Sequence, residues 1–359
     1  TFLECFEMND EILSRLRKWK KGKKAPPEKV QIYPTNVCTL DCIFCAQRNE
    51  NYGYKEELSE GRWFEVVEEL GNMNVNRVLI SGGGEPFSRA NLTIGMMKKI
   101  KKFDMGGRLI TNGIPLNYKL SQKIINVGWD SVVFSIDGPN AKIHDFLRGR
   151  KGSFKKTIGN LKLLESLKDQ EKPQIEINFV LTKKNYKTLP QMISLCEELN
   201  VDNINFEPLT INNEFDKTLK ISKKERQELV ESVIPEAEKK SNNYISTNLQ
   251  ELKKIKMEKA GSIGEEIKKN IKENEAGEFS NAACFEPWLW PKIEANGDVW
   301  PCSTSPLHEN VKNKTFSDIW YGEKFNEFRR NILNGNLPGS CQNCVTTHIQ
   351  TNNEIRINL

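Results

Sequence analysis

Short β-rich segments alternate with helix-like segments between residues 28 and 210, and this alternation constrains the fold more than any other feature of the chain. The β-rich segments are 30–33, 77–81, 108–111, 131–136, 175–181 and 203–208. The segments between them with apolar residues at helical spacing are 60–73, 90–103, 117–127, 153–168 and 187–199. Strands that alternate with helices form parallel sheets, so we predict an α/β fold built on a partial (βα)6 barrel.

Chemically distinctive motifs follow the first four predicted strands. CTLDCIFC (38–45) follows the first strand, GGGEP (82–86) the second, TNG (111–113) the third and DGP (137–139) the fourth. The carboxyl ends of parallel strands lie at one edge of a sheet. The sequence therefore predicts that these motifs converge on one site at the rim of the barrel.

Seven of the nine cysteines fall into two groups. The first group, Cys38, Cys42 and Cys45, has the spacing C-x3-C-x2-C. The second group is Cys284, Cys302, Cys341 and Cys344, and Cys5 and Cys196 stand alone. Clustered cysteines in a chain without a secretion signal are typical of metal sites. Three thiolates can hold a [4Fe–4S] cluster with one iron open to a non-protein ligand, whereas a zinc site would need Cys196 or a histidine to complete it.

Four features taken in order resemble the radical S-adenosylmethionine (SAM) enzymes: C-x3-C-x2-C after the first strand, Phe44 before the third cysteine, GGGEP, and SIDG (135–138). The resemblance covers about residues 28–210. It implies that the first cysteine group holds a [4Fe–4S] cluster whose open iron binds SAM. Reductive cleavage of SAM would then release a 5′-deoxyadenosyl radical that takes a hydrogen atom from the substrate. An external one-electron reductant such as flavodoxin or ferredoxin is implied as a partner.

The resemblance also implies which residues contact SAM. In family members the glycine-rich turn receives the methionyl ammonium group, and the matching residues are Gly82, Gly83, Gly84 and Glu85. Asp137 and Ser135 lie where many relatives contact the ribose, and Arg148 or Arg150 is suited to the methionyl carboxylate. Phe44, Asn178 and the segment around Glu207 are weaker candidates. Without the resemblance, Asp137 is equally explained as a turn residue and the arginines as solvated side chains.

The second cysteine group lies in a loop-rich C-terminal region. IEANGDVWPC (293–302) predicts a hairpin that ends at a metal ligand, and Cys341 and Cys344 form a C-x2-C pair. This pattern resembles the SPASM and twitch domains of radical SAM enzymes, and four thiolates suffice for one auxiliary [4Fe–4S] cluster. No cysteine follows Cys344, which favours the shorter twitch-like form. A zinc ribbon is the alternative.

Composition and charge complete the predicted organisation. The predicted segments are a basic N-terminal helix (1–27), the barrel (28–210), a charged helical linker (211–280) and the auxiliary-cluster domain (281–359). In the linker 28 of 70 residues are charged, which predicts exposed helices or a lid over the barrel. The net charge of +5 is concentrated in 15–29, where a solvated helix face is expected and no nucleic-acid partner. No apolar stretch approaches the roughly 20 residues of a membrane span, so a cytoplasmic location is expected.

The two-cluster arrangement resembles that of dehydrogenases acting on sugars and aminocyclitols. It predicts oxidation of a small polar substrate, with the auxiliary cluster taking part in electron transfer. Three enzymatic alternatives stay open: a peptide-modifying maturase, an RNA-modifying enzyme, and an epimerase in which Cys5 or Cys196 returns a hydrogen atom. A binding module held together by two zinc sites is the non-enzymatic alternative.

Overall fold

The computed structural model describes residues 10–46, 56–168, 171–211, 213–241, 245–254, 278–343 and 347–359. In this part of the chain ten strands form one sheet. The strands are β1 Lys29–Ile32, β2 Arg77–Ile80, β3 Gly106–Thr111, β4 Ser131–Ser135, β5 Gln174–Leu181, β6 Asn203–Pro208, β7 Ser246–Thr247, β8 Lys292–Ile293, β9 Asp298–Trp300 and β10 Glu309–Asn310. Their order is β10-β9-β8-β1-β2-β3-β4-β5-β6-β7, and every pair from β8 to β7 is parallel.

Helices connect most of the parallel strands. The α-helices are α1 Asp10–Lys20, α2 Glu60–Asn72, α3 Ala90–Lys102, α4 Tyr118–Asn126, α5 Ala141–Arg148, α6 Ser153–Leu167, α7 Leu189–Glu198, α8 Glu214–Lys217, α9 Lys223–Glu228, α10 Ile234–Lys240, α11 Leu249–Lys254, α12 Phe316–Trp320, α13 Glu323–Leu333 and α14 Thr347–Asn358. Short 3-10 turns span Pro86–Arg89, Tyr186–Thr188, Phe279–Asn281, Glu286–Trp288 and Gly339–Asn343, and a π-turn spans Leu229–Val233. No helix in the described ranges is long and apolar enough to cross a membrane.

The predicted alternation of strands and helices is confirmed. Each of the six predicted strands and five predicted helices is present, with ends that differ by at most two residues. Helix α5 was not predicted, although both of its ends carry clear local signals. The Asn140 side chain accepts a hydrogen bond from the Ile143 N–H at the helix start, and Gly149 ends the helix with φ +67°.

The two faces of the sheet differ in polarity. One face is packed under the helices and supplies the main core, with Val132, Phe134, Ile175, Ile177, Phe179, Ile204 and Phe206 all buried. Because side chains alternate along a strand, the intervening positions face the inside of the barrel. These inner positions include Arg108, Ser131, Ser135, Glu176, Asn178, Asn203 and Asn205. The inner face therefore carries polar groups that a bound molecule can contact.

The C-terminal region extends the barrel sheet. β8 pairs with β1 in parallel, and β9 and β10 follow as antiparallel strands. The predicted hairpin at IEANGDVWPC is confirmed, and Gly297 adopts φ +90° at its turn. The region predicted as a separate small domain thus shares a continuous sheet with the barrel.

The segment predicted as exposed linker helices is partly buried. In its described part, Leu229, Ile234, Ala237, Leu249 and Leu252 belong to the main core. The helix α10 packs on α7, and β7 adds an edge strand beside β6. Charged residues cover the outside of these helices, which explains why composition alone suggested full exposure.

The basic helix α1 belongs to a second core. Ile12 and Leu16 are buried with Phe285 and Trp288 of the C-terminal region. The Arg15 guanidinium is buried too, and its donors reach the carbonyls of Pro26, Pro27 and Asn74. The helix predicted to present a solvated basic face therefore joins the N-terminal segment to the C-terminal region, and one of its basic residues is structural.

Candidate active site at the barrel rim

The first cysteine group lies in a loop that α5 supports. The N–H of Cys45 donates to the carbonyl of Cys42 at 3.1 Å, which closes a turn within the group. Gly149 fits against this loop so closely that a Cβ atom there would lie 1.9 Å from the carbonyl oxygen of Asp41. A glycine with positive φ is therefore required where α5 meets the cysteine loop.

Two polar side chains contact the thiols of this group. Asn112 Nδ2 lies 3.7 Å from the Cys38 sulfur, and Arg148 Nη1 lies 3.8 Å from the Cys42 sulfur. Burial raises the pKa of both thiols, and the Arg148 charge opposes that rise. Because N–H donors and a cation favour the thiolate, these contacts suit the form of cysteine that binds metal.

The donor set fits an iron–sulfur cluster. Among the described residues no three His, Cys, Asp or Glu side chains gather around a single ion position. In a [4Fe–4S] cluster each thiolate binds a different iron, so its ligands surround a cluster and do not converge on one ion. Cys38, Cys42 and Cys45 share one short loop with polar support, which is compatible with such a group.

The glycine-rich turn packs against the chain that leads into Cys38. The Gly84 N–H donates to the Thr35 carbonyl at 2.9 Å, and the Glu85 N–H donates to the Val37 carbonyl at 2.8 Å. A Cβ on Gly84 would lie 2.3 Å from the Val37 carbonyl oxygen. Only glycine permits this approach, so the turn and the cysteine loop are held together by backbone contacts.

Glu85 fixes the turn to the end of β3. Its buried carboxylate accepts hydrogen bonds from the Thr111 hydroxyl (2.7 Å), the Asn112 N–H (2.7 Å) and the Phe87 N–H (3.1 Å). Burial raises the pKa of Glu85 to about 7, and these donors partly oppose the rise. Asn112 also contacts the Cys38 sulfur with its side chain. Glu85 therefore helps to position that contact, because it binds the backbone N–H of Asn112.

Asp137 and Arg148 form a buried ion pair. Arg148 Nε lies 2.6 Å from Asp137 Oδ2, and both side chains are at least nine-tenths buried. The Val180 N–H donates to the other carboxylate oxygen at 2.8 Å, and the Arg148 guanidinium carbon lies 5.6 Å from the centre of the Phe44 ring. Asp137, predicted to contact the ribose, and Arg148, predicted to contact the methionyl carboxylate, are therefore paired with each other. Burial raises the pKa of Asp137, and Arg148 opposes that rise.

A polar row crosses the inner face beside this ion pair. Ser135, Asn178 and Asn205 are register partners on β4, β5 and β6. Asn205 Nδ2 donates to Glu207 Oε1 at 3.2 Å, and burial raises the pKa of Glu207 to about 6. The row therefore offers amide, hydroxyl and carboxylate groups next to the cysteine loop.

A second polar network lies deeper in the barrel. Arg108 contacts the Glu176 carboxylate through Nε (3.1 Å) and Nη2 (2.7 Å). Asn203 Nδ2 donates to Glu176 at 3.0 Å, and the Ser131 hydroxyl also donates to it. These residues and Asn205 were not among the predicted site residues. Asn112 lies in the TNG motif predicted at the rim, but its contact with a thiol was not predicted. Alternating polar positions within IEINFVL and NINFEP were the available signal.

Cys196, a predicted hydrogen donor, lies away from the inner face of the barrel. Cys196 lies on α7 with no exposed surface, in the core between that helix and the outer face of the sheet. Burial raises the pKa of its thiol far above the ordinary value. The other candidate donor, Cys5, and the predicted ligand Cys344 lie outside the described residues.

Three cysteines of the second group lie together in the second core. Cys302 is buried, and Cys284 and Cys341 pack against the same apolar cluster. Asn352 Nδ2 lies 3.6 Å from the Cys284 sulfur. Burial raises the pKa of Cys341 to about 11, and the nearby Glu286 adds to the rise. These thiols are surrounded by aromatic and aliphatic side chains, in contrast to the polar rim.

Comparisons with known proteins bear on both cysteine regions. The profile of the radical SAM superfamily matches residues 32–181, and that of an iron–sulfur cluster-binding domain, SPASM, matches residues 284–345. The AdoMet-dependent heme synthase of Methanosarcina barkeri is 24% identical over 315 residues, or 86% of each chain. The PqqA peptide cyclase of Rhizobium meliloti is 23% identical over 329 residues, which cover 89% of this chain and 80% of the relative.

A solved structure shares the fold. The crystal structure of Streptococcus suis SuiB bound to S-adenosylmethionine superposes with a TM-score of 0.65. The match covers 87% of this chain and 70% of SuiB at 20% identity. At this identity the likeness supports the arrangement of the barrel and its C-terminal extension, and it carries no information on the substrate.

Proposed function

Since the chain belongs to the radical SAM superfamily and carries a SPASM iron–sulfur domain, we propose that it removes a hydrogen atom from a polar substrate bound on the inner face of its barrel. Enzymes of this superfamily use a [4Fe–4S] cluster and SAM, and the SPASM domain implies auxiliary iron–sulfur binding. The finer assignment of residues and substrate rests on the contacts around the rim.

Cys38, Cys42 and Cys45 would hold the cluster that binds SAM. When bound, a reduced cluster supplies the electron that cleaves SAM reductively. Asn112 and Arg148 place N–H donors 3.7 and 3.8 Å from two of the sulfurs and so stabilise the thiolate forms. Asp137 balances the buried Arg148 charge, which keeps this donor in place.

The residues proposed to hold SAM surround the same loop. In the turn of Gly82, Gly83 and Gly84, Gly84 brings its backbone close to the chain that leads into Cys38, and Glu85 fixes the turn to β3. Ser135 and Asn178 are register partners on the inner face, and Phe44 lies against Arg148. SAM placed among these groups would be enclosed on three sides by β2, β4 and the cysteine loop.

The observation that carries the substrate proposal is the polar row beside this site. In this proposal the Asn205 amide and the Glu207 carboxylate, joined by a hydrogen bond of 3.2 Å, would contact a substrate bound next to SAM. Such groups suit hydroxyl and amino substituents, since each can donate or accept a hydrogen bond. We therefore favour a sugar or aminocyclitol-like substrate.

The second cysteine group would hold one auxiliary [4Fe–4S] cluster. Cys284, Cys302 and Cys341 lie at the second core, and Cys344 would be the fourth ligand. Four protein thiolates leave no iron open to the substrate, so this cluster is suited to accept an electron. The proposed net reaction is accordingly an oxidation of the substrate.

Peptide modification is the second candidate. It is favoured by the relative named PqqA peptide cyclase, whose match covers 89% of this chain. A peptide strand could reach the polar row with one side chain while its backbone stays outside the barrel. Its modified residue would meet the same Asn205 and Glu207 groups as a small substrate.

The decisive experiment measures hydrogen transfer. Anaerobically reconstituted protein is reduced with dithionite and incubated with SAM and substrates deuterated at carbon, from an aminocyclitol set and a peptide set. Deuterium in 5′-deoxyadenosine identifies the substrate class and the attacked carbon. The matched control is Cys42→Ala, for which no 5′-deoxyadenosine is expected. A protein that binds iron at both sites but never cleaves SAM contradicts the proposal.

A further inference from the structure

The C-terminal end of α5 contacts the cysteine loop directly. Its last two carbonyl groups accept hydrogen bonds from the N–H groups of Ile43 (3.0 Å) and Asp41 (3.3 Å). Just beyond the helix, Arg150 Nη1 donates to the carbonyl of Thr39 at 2.7 Å. The surface at this helix end therefore lies beside the loop that carries the three cysteines.

This surface combines positive charge with an exposed aromatic ring. We call it the basic face, and it consists of Lys142, Phe146, Arg150, Lys151 and Lys184. Phe146 is 53% exposed, although large apolar side chains are usually buried. Lys142 lies one helical turn before Phe146, and the Lys184 ammonium group lies 5.9 Å from the centre of its ring.

Nearby acids compensate only part of the charge of the basic face. Asp145 of α5 is engaged internally, because it accepts hydrogen bonds from the Gly152 N–H and the Ser153 hydroxyl at 2.6 and 2.8 Å. Asp41 is the exposed acid beside the face. Four basic residues against Asp41 and Asp145, which keeps its negative charge because its donors are neutral, leave a net charge of about +2 on this surface.

We propose that the basic face is the docking surface for an acidic one-electron carrier protein, an inference that rests on the proposed function. One electron leaves the carrier, which is oxidised by one unit, and enters the cluster held by Cys38, Cys42 and Cys45. No bond forms or breaks at this surface and no proton crosses it. The face is suited to this role because its charge lies directly over the loop where the electron must arrive.

The chemistry of the face favours such a partner. Complementary charge accelerates encounter between proteins by about 10 to 1,000-fold at low ionic strength. Electron-transfer complexes are small and transient, so four charges around one exposed ring are enough to form a contact. The ring of Phe146 can bury apolar area at the centre of the contact while the lysines form its rim.

The test compares a charge-reversed face with a charge-reversed control elsewhere. The test variant is K142E/K151E/K184E. The control variant is K18E/K21E/K23E, which changes the same number of exposed lysines in the N-terminal basic segment. For each protein, 5′-deoxyadenosine formation is measured with flavodoxin hydroquinone and, separately, with dithionite. Binding of oxidised flavodoxin is measured by calorimetry at low and high salt, and thermal unfolding checks the fold.

We expect the test variant to lose about tenfold or more of the flavodoxin-driven rate at low salt and most of its flavodoxin affinity. Its dithionite-driven rate stays within twofold of the parent rate, and the control variant resembles the parent in every assay. The inference is overturned if the test variant keeps the flavodoxin-driven rate, or if the control loses as much. Failure of the parent to cleave SAM with dithionite instead overturns the proposed function, and the docking inference with it.

Discussion

The two cysteine regions of this protein lie in different surroundings. At the barrel rim the thiols lie in a partly exposed loop, and polar groups from three strand ends contact or position them. In the C-terminal region Cys302 is buried among aromatic and aliphatic side chains, with Cys284 and Cys341 packed against them. The surroundings of the rim thiols leave one side of the cysteine loop accessible to exchangeable ligands. The second region packs its group against an apolar core and ties it to the fold.

The difference follows from how each region is built. The rim is the meeting point of parallel strands, where backbone groups and polar side chains become available. The second region has few regular elements, and its cysteines help to hold together segments from both ends of the chain, including α1. A metal group placed there acts as a staple as well as an electron carrier. We therefore expect that removal of a cysteine from each group affects different properties of the protein.

The largest expected effect is on SAM cleavage, when one thiol is removed from each cysteine group in turn. Cys42→Ala should lower SAM cleavage by more than about 100-fold, because the cluster that binds SAM loses a ligand. Cys302→Ala should keep SAM cleavage but lose substrate oxidation and thermal stability. Both variants should fall from about eight irons to about four per chain. Anaerobic iron analysis and 5′-deoxyadenosine assays measure these outcomes. Loss of SAM cleavage in folded Cys302→Ala would refute the division of roles.

A second prediction concerns the buried charge at the rim. Asp137→Asn removes the carboxylate that balances Arg148, whose side chain is 10% exposed. Breaking a buried ion pair from one side typically costs about 3–5 kcal/mol, so we expect a loss of that size in the free energy of unfolding. The control is Glu198→Gln, which breaks the exposed pair with Lys162 and should cost less than about 1 kcal/mol. Urea denaturation compares the two. Equal losses would mean that the rim does not depend on its ion pair.

The third prediction gives the rim a pH dependence through His144. Its Nδ1 accepts a hydrogen bond from the Asp137 N–H at 3.3 Å, and burial lowers its pKa to about 3 from 6.5. The folded state therefore binds fewer protons than the unfolded state between these values. The contribution of the neutral His144 to the free energy of unfolding is therefore fully present above pH 6.5 and is lost as the pH falls toward 3. Between pH 6.5 and 5 the parent should lose about 2 kcal/mol more than His144→Gln.

The control for this prediction is internal. Above pH 7 the imidazole is neutral in both the folded and the unfolded state, so the parent and His144→Gln should differ by a constant amount there. Chemical denaturation at each pH supplies the values. A parallel pH dependence of the two proteins below pH 6.5 would show that His144 does not titrate on unfolding.

Much of the fold was predictable because its signals are local. Each barrel strand and each predicted helix shows its periodicity within a single segment, and the superfamily membership predicted from four motifs is confirmed by two profile matches. What was missed depends on register between distant segments. The pairing of β8 with β1 joins residues more than 250 positions apart, and no local sequence pattern predicts it.

The same limit applies to the site. The cysteines and the glycine turn were evident from their motifs, and the contacts of Gly84 explain why those residues are glycines. The pairing of Asp137 with Arg148 was not predicted, because each was assigned to SAM separately. The polar row of Ser135, Asn178 and Asn205 needs three strands in register, so single-segment analysis could not assemble it. The individual site residues and domain limits stay predictions.

The smallest expected effect is a shift in the reduction potential of the proposed auxiliary cluster in the C-terminal region. Asn352 Nδ2 lies 3.6 Å from the Cys284 sulfur, and Arg356 lies close enough for its charge to interact with that thiol. A hydrogen bond and a nearby cation favour the more negative, reduced form of an iron–sulfur cluster, so both raise its reduction potential. Asn352→Ala should remove about 1 kcal/mol of this preference, which for one electron is about 40 mV.

The matched control for this last prediction is Asn358→Ala, on the same helix and exposed. Redox titration followed by electron paramagnetic resonance should show the auxiliary signal shifted to lower potential in Asn352→Ala, with the rim signal unchanged. Asn112→Ala should give the reverse pattern, because its amide contacts Cys38. If either variant moves both potentials equally, the two regions are electrostatically coupled, and the contrast between a polar rim and a separate apolar second region is wrong.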